Sequence, residues 1–225
     1  MAPFSHLRAR MRHQQFPNRF NMKHFGLLAI AVLAAACSDL GTSVSPISPP
    51  SHAVQALSAG PGKAFSVQSA SWYTSHANGQ YTASAVVGAS GGTLSLPQAD
   101  FSITFPAGAV TRDVRITIVA VPGASLAYDM FPHGLQFNKA VVVTQNLSNT
   151  APGKGVSVSQ LLYAAYLRDT REAISNQGQA LAAEIIPSST DCDPSGLPVR
   201  STWYLKHFSR YILASGAWMV VDDAS

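Results

Sequence analysis

The chain has 225 residues, 47% of them apolar, 9% aromatic and 12% charged, which is too hydrophobic for disorder throughout and long enough for one self-sufficient domain. Five of its fifteen basic residues (Arg8, Arg10, Arg12, Arg19 and Lys23) and none of its eleven acidic ones fall in the first 36 positions, so the formal charge of +4 belongs to that leader. The remaining ten basic and eleven acidic residues offer no cationic excess to displace counterions from phosphate, and a nucleic-acid partner is excluded.

Lys23 and His24 precede the uncharged run Phe25 to Ala36, which ends in small residues immediately before Cys37. The run is shorter than the ~20 apolar residues a bilayer span needs and fits the hydrophobic region of a secretory signal. Met22 would open a leader of ordinary length, so residues 1–21 are expected to be an over-extended gene start. Leu33, Ala34, Ala35, Ala36 and Cys37 resemble the bacterial lipobox, with Ala34 where a leucine is usual and Leu33 one place further back. The resemblance implies cleavage before Cys37, diacylation of its sulfur and acylation of the new amine. Two or three chains give the stable anchoring that one chain does not, at ~0.8 kcal/mol per buried CH₂. Ser38 follows where aspartate would favour the inner membrane, which leans the address to the outer membrane. With Cys37 in a thioether, Cys192 is the one remaining thiol and no intramolecular disulfide is expected.

Ser38 to Gly62 is rich in serine, proline and small residues, without apolar periodicity, and reads as a flexible tether. The organisation is therefore a signal peptide over 1–36, a lipidated cysteine and disordered tether over 37–62, and one domain over 63–225. Within the domain Phe101, Ile103 and Phe105 alternate with polar residues, and Val114, Ile116 and Ile118 repeat the pattern after Pro106, Ala107 and Gly108. A hairpin of these two strands is expected. Further strands are expected at Tyr81 to Val87, Thr93 to Leu96, Ala140 to Thr144, Leu161 to Leu167, Gln179 to Ile186, Ser201 to Phe208, Arg210 to Leu213 and Trp218 to Val221. Gln179 to Ile186 also reads as a two-turn helix, because QALAAEII is rich in helix formers. Many short strands separated by turn residues specify an all-β fold, an antiparallel β-sandwich.

Four pieces of this sequence resemble the ZU-5 domain, an antiparallel β-sandwich found in zonula occludens, ankyrins, netrin receptors and bacterial secreted proteins. They are the Gly91-Gly92 turn, the Pro106-Ala107-Gly108-Ala109 turn, Pro132-His133-Gly134 before an apolar strand, and His207-Phe208-Ser209 followed by Tyr211, together ordering Gly91 to Gly216. The signalling roles of the animal proteins are not implied, since neither a death domain nor a second companion domain is expected from these residues. The glycines are read as turn residues of positive φ. Gly91-Gly92 lacks the lysine and following helix of a phosphate loop. His133, between proline and glycine, is read as a turn residue and not a metal ligand.

In death-domain scaffold proteins of the resembling family and in a nucleoporin family, an HFS triplet cleaves itself between Phe and Ser. On a strand His207 and Ser209 would share a face, so His207 could take the proton of Ser209 Oγ while that oxygen attacks the Phe208 carbonyl. An N-to-O acyl shift and hydrolysis of the ester would follow, helped by strain in the Phe208-Ser209 peptide. This self-processing reading is the alternative. Asp191, Asp193 and Ser195 echo a calcium loop, but Thr202 stands where a bidentate glutamate belongs, so a turn is expected. Asn146-Leu147-Ser148 is a glycosylation sequon in a eukaryotic secretory route alone. No nucleophile elbow, HExxH or paired CxxC is present, so no enzyme, cofactor or metal is expected. The sequence describes a lipid-anchored envelope protein whose sandwich binds a protein or an envelope glycan or serves a structural role. Trp72, Tyr73, Trp203 and Tyr204 are the candidate contact aromatics.

Overall fold

The computed structural model describes residues 55–74, 80–156, 161–168 and 174–222; Cys37, the leader and most of the expected tether lie outside them. In chain order the described strands are β1 (Leu57–Ser58), β2 (Lys63–Gln68), β3 (Tyr81–Val87), β4 (Gly92–Leu96), β5 (Phe101–Phe105), β6 (Val114–Ala120), β7 (Ala127–Phe131) and β8 (Gln136–Asn146). They continue as β9 (Leu162–Leu167), β10 (Gln179–Ala182), β11 (Glu184–Pro187), β12 (Ser189–Cys192), β13 (Pro198–His207), β14 (Arg210–Ser215) and β15 (Met219–Asp222). Two short 3₁₀ turns, Pro97–Ala99 and Pro152–Lys154, are the helical elements among the described residues.

The strands form three antiparallel sheets. A seven-stranded sheet runs β1-β11-β9-β14-β7-β6-β3, a five-stranded sheet β12-β13-β8-β5-β4, and a three-stranded sheet β10-β2-β15. Period-2 alternation dictates the main core. Ile103 and Phe105 of β5, Val141 and Val143 of β8, and Trp203 and Leu205 of β13 face Ile116 and Ile118 of β6, Met130 of β7, and Tyr211 and Leu213 of β14. The fold is thus the antiparallel β-sandwich that the alternation implied. The third sheet adds a layer. Phe65 and Val67 of β2, with Ala180 and Ala182 of β10, pack in a second core with Ala165 and Leu167 of β9 and Ile212 and Ala214 of β14. Because β9 and β14 are covered on both faces, they read as unbroken apolar runs, LYAAYL and YILA, where a half-buried strand would alternate.

Three expectations change. β5 and β6 do not form a hairpin: β5 pairs with β4 and β8, β6 with β3 and β7, and the two lie in opposite sheets. The connection between them is too long for a tight hairpin, and it buries Ala109 and Val110 as it crosses the edge of the core. Gln179 to Ile186 is neither a helix nor one strand. It breaks at Ala183, so that β10 joins the three-stranded sheet and β11 the seven-stranded one. Leu57 and Ser58, inside the stretch read as tether, pair with Ile185 and Glu184. Strands β2, β7 and β12 carry no expectation from the sequence.

A buried polar cluster ties the two main sheets together at one end. The Tyr128 hydroxyl donates to Gln145 Oε1, and Gln145 Nε2 donates to the Ala99 carbonyl at 3.0 Å and the Asn146 carbonyl at 2.9 Å. Burial pushes the Tyr128 hydroxyl well above its ordinary range, which keeps it a donor.

Candidate functional site

Motifs spread along the chain meet at crossings between the two main sheets. The β3–β4 crossing closes on itself through Gly91 N–H donating to the Gly88 carbonyl at 3.0 Å, and it runs beside the β5–β6 crossing, whose Gly108 N–H donates to the Ala89 carbonyl at 2.8 Å. A second pair joins β7 to β8 and β13 to β14. Here Gly134 N–H donates to the Phe208 carbonyl at 2.9 Å, Phe208 N–H to the Leu135 carbonyl at 2.9 Å, and Met130 N–H to the Ser209 carbonyl at 3.1 Å. The Pro132-His133-Gly134 turn and the His207-Phe208-Ser209 triplet are therefore two halves of one structure. The peptide bond between Phe131 and Pro132 is cis.

Beside this second pair of crossings lies a cleft of about 590 Å³, lined among others by His133, Gln136, Tyr166, Glu184, His207 and Ser209. The His207 ring bridges the two sheets. Its Nε2 faces Glu184 Oε2 of β11 at 3.5 Å, and its Nδ1 lies 3.1 Å from the Tyr211 hydroxyl of β14. That hydroxyl also donates to the His207 carbonyl at 2.9 Å. Burial first, then the charge of Glu184 and the neighbouring Tyr166, hold Tyr211 well above the ordinary phenol range, so it stays protonated. The Tyr166 ring meets His207 edge to face, with centroids 4.9 Å apart.

The geometry bears directly on self-cleavage. One element of the chemistry is present: Gly134 N–H sits on the carbonyl oxygen where an oxyanion would develop. The base is not in place. β13 ends at His207, so the chain turns before Ser209 and the two side chains are not neighbours on one strand face. Both nitrogens of the His207 ring are engaged, one with Glu184 and one with Tyr211, and neither is directed at Ser209 Oγ. The Phe208-Ser209 bond is expected to stay whole. Intact-mass measurement on purified protein should give one species for wild type and one for Ser209→Ala; a fragment beginning at Ser209 in the wild type would overturn this.

Other expected positions resolve as local structure. Asp193 closes an Asx turn, its Oδ1 accepting from Ser195 N–H at 2.8 Å, Ser195 Oγ at 2.6 Å and Leu197 N–H at 3.0 Å. Those bonds, the Ser195 hydroxyl foremost, lower its pKa. Asn146 closes a similar turn on Ser148 N–H at 2.8 Å. Among the described residues no group of three histidine, cysteine, aspartate or glutamate side chains is arranged to hold a metal ion. His133 stacks on Phe131, with centroids 4.3 Å apart. Trp72 and Trp203 are core residues, whereas Tyr73 is half exposed. Cys192 is disulfide-bonded and is not the thiol expected of it; the sequence's other cysteine, Cys37, lies outside the described residues. Glu184 and Tyr166, the partners that hold His207, carry no sequence expectation. The one available signal was Glu184 standing as the single charge in the apolar run QALAAEII.

The family model of the ZU5 domain matches residues 83–126, from within β3 to the residue before β7. Two of the four resembling pieces, Gly91-Gly92 and Pro106 to Ala109, lie inside the match; Pro132-His133-Gly134 and the HFS triplet lie beyond it. A comparison with curated proteins finds no match.

Proposed function

We propose that this protein is a lipid-anchored module of a bacterial cell envelope, held at the outer membrane through acyl chains on Cys37, whose sandwich binds a protein or envelope glycan and performs no catalysis on an external substrate. The observation that carries the reading is the leader, with its uncharged run ending in Leu33-Ala34-Ala35-Ala36-Cys37 directly ahead of a serine- and proline-rich stretch. The ZU5-matched sandwich supports the recognition half. So does the cleft beside the HFS crossing, where the His207 ring is held between the Glu184 carboxylate and the Tyr211 hydroxyl.

Palmitate labelling with membrane fractionation tests the anchor. Wild type should take up label and sediment with the outer membrane, while Cys37→Ala should be unlabelled and leave the membrane fraction. Cys192 is disulfide-bonded in the structure, and a thioether and a disulfide exclude one another at a single sulfur, so the labelled chain requires Cys192 to be released from that bond and to be alkylatable. Unlabelled wild type with no reactive thiol would replace the anchor with a disulfide-linked secreted protein.

A further inference from the structure

Among the described residues the three sheets present six edges, and four of the outermost strands carry features that blunt an edge. β1 has two residues; β10 has four; β12 has four, carries Asp191 and is broken by a bulge; β15 has four and ends in Asp222, which pairs with Lys63. Short length, charge and bulges are the devices by which proteins blunt an edge against further pairing. β3 has none of them. Its seven residues, YTASAVV, hold no charge, proline or glycine, and they keep perfect register with β6 from Tyr81 opposite Ala120 to Val87 opposite Val114. On its outer face Thr82, Ser84 and Val86 are exposed, Val86 by 54%. β4, the edge of the five-stranded sheet, is the nearest to it in character: five uncharged residues, GTLSL, packed against β3 on the same side of the sandwich.

From this we infer that the β3 edge is the seat of a homodimer, in which β3 of a second copy adds antiparallel to β3 of the first. An uncharged edge favours an uncharged strand, and β3 is complementary to itself. A two-fold axis at Ser84 sets Thr82 opposite Val86 on the outer face, and Ala83 opposite Ala85 and Tyr81 opposite Val87 on the inner face, so that β-branched residues meet outside and apolar ones inside. One strand pair buries too little for a stable dimer, which needs about 1,200–2,000 Å². The same axis, set normal to the sheets, brings β4 of each copy toward β4 of the other, so both layers continue across the interface. Among the described residues β6 is the one strand that pairs with β3, so a second β3 laid along the edge from Thr82 to Val87 extends the ladder beyond it. The inference is independent of the lipid anchor.

Sedimentation velocity on the full chain in density-matched detergent tests it. Wild type should form a concentration-dependent dimer. Thr82→Lys with Val86→Lys sets lysine opposite lysine twice per interface and should raise the dimer dissociation constant by about tenfold or more. Thr82→Glu with Val86→Lys places the same number of charges on the same strand but pairs opposite signs, and should restore the dimer. Circular dichroism melting of the double-lysine variant should coincide with that of wild type diluted to its monomer, since these side chains point to solvent, whereas at dimer-forming concentrations wild type and the charge-swapped pair should melt higher. Monomeric wild type at every concentration, an unimpaired double-lysine dimer, or failure of the charge-swapped pair to dimerise while still folded would each overturn the proposal.

Discussion

Gly91→Ala should destabilise the fold by about 3–5 kcal/mol, close to the largest loss a single methyl group can cause. Gly91 sits at φ +77°, and a Cβ there would lie 2.2 Å from the Phe105 carbonyl oxygen and 2.8 Å from the Pro106 carbonyl carbon. Both contacts are backbone. Neither can move without disturbing the end of β5 and the crossing that follows, where Gly108 N–H is bonded to Ala89. Gly92 is the internal control. At φ +152° it too disfavours a side chain, but a Cβ would meet nothing within 4 Å. Gly92→Ala should therefore cost only the conformational strain, about 1–2 kcal/mol. Urea unfolding of the two variants, compared at unchanged m-value, reads the difference. Equal losses at the two positions would mean that the close passage of the β3–β4 and β5–β6 crossings does not hold the sheets together.

The contrast between Gly91 and Gly92 also marks how far the sequence could be read. Alternation placed β3, β4, β5, β6, β8 and β13, because each has one face on a core and one toward solvent, whereas β9 and β14 were legible as unbroken apolar runs. It could not say which strands pair. The segment after Phe105 carries hairpin residues, Pro106 and Gly108, yet it serves a crossing, since turn residues permit a change of direction without specifying which sheet receives the next strand. The third sheet was hidden for a related reason. Its central strand, β2, buries adjacent Ala64 and Phe65, so the pattern lacks a clean period of two. The same holds for the cleft. The HFS triplet was visible as a motif, but the arrangement at His207 depends on Glu184 and Tyr211, which reach it from β11 and β14. Sequence proximity suggested a histidine paired with Ser209. Three-dimensional neighbours claim both of its nitrogens instead.

Phe208→Ala should cost about 3–5 kcal/mol, whereas Ser209→Ala should cost under about 1 kcal/mol. Phe208 is completely buried, and its ring meets Phe137 and Phe105 edge to face with centroids 4.8 Å and 6.1 Å away. The cavity left by alanine could not readily close. Phe208 is bonded through its N–H to Leu135 and through its carbonyl to Gly134, so the backbone on which the ring is mounted is fixed to the opposite crossing. Phe208→Leu, which restores most of the volume, should recover all but about 1.5 kcal/mol. Chemical unfolding of the three variants separates two accounts of the triplet. If it is a structural bolt between the β7–β8 and β13–β14 crossings, stability tracks the size of residue 208 and ignores the hydroxyl of residue 209. If it is a cleavage site, the serine governs the outcome and the phenylalanine only presents a carbonyl, so Ser209→Ala would alter the chain's integrity while leaving the melting of the folded domain in place. A large stability loss at Ser209, or none at Phe208, would refute the structural account, because the ring contacts and the crossing hydrogen bonds predict the opposite order.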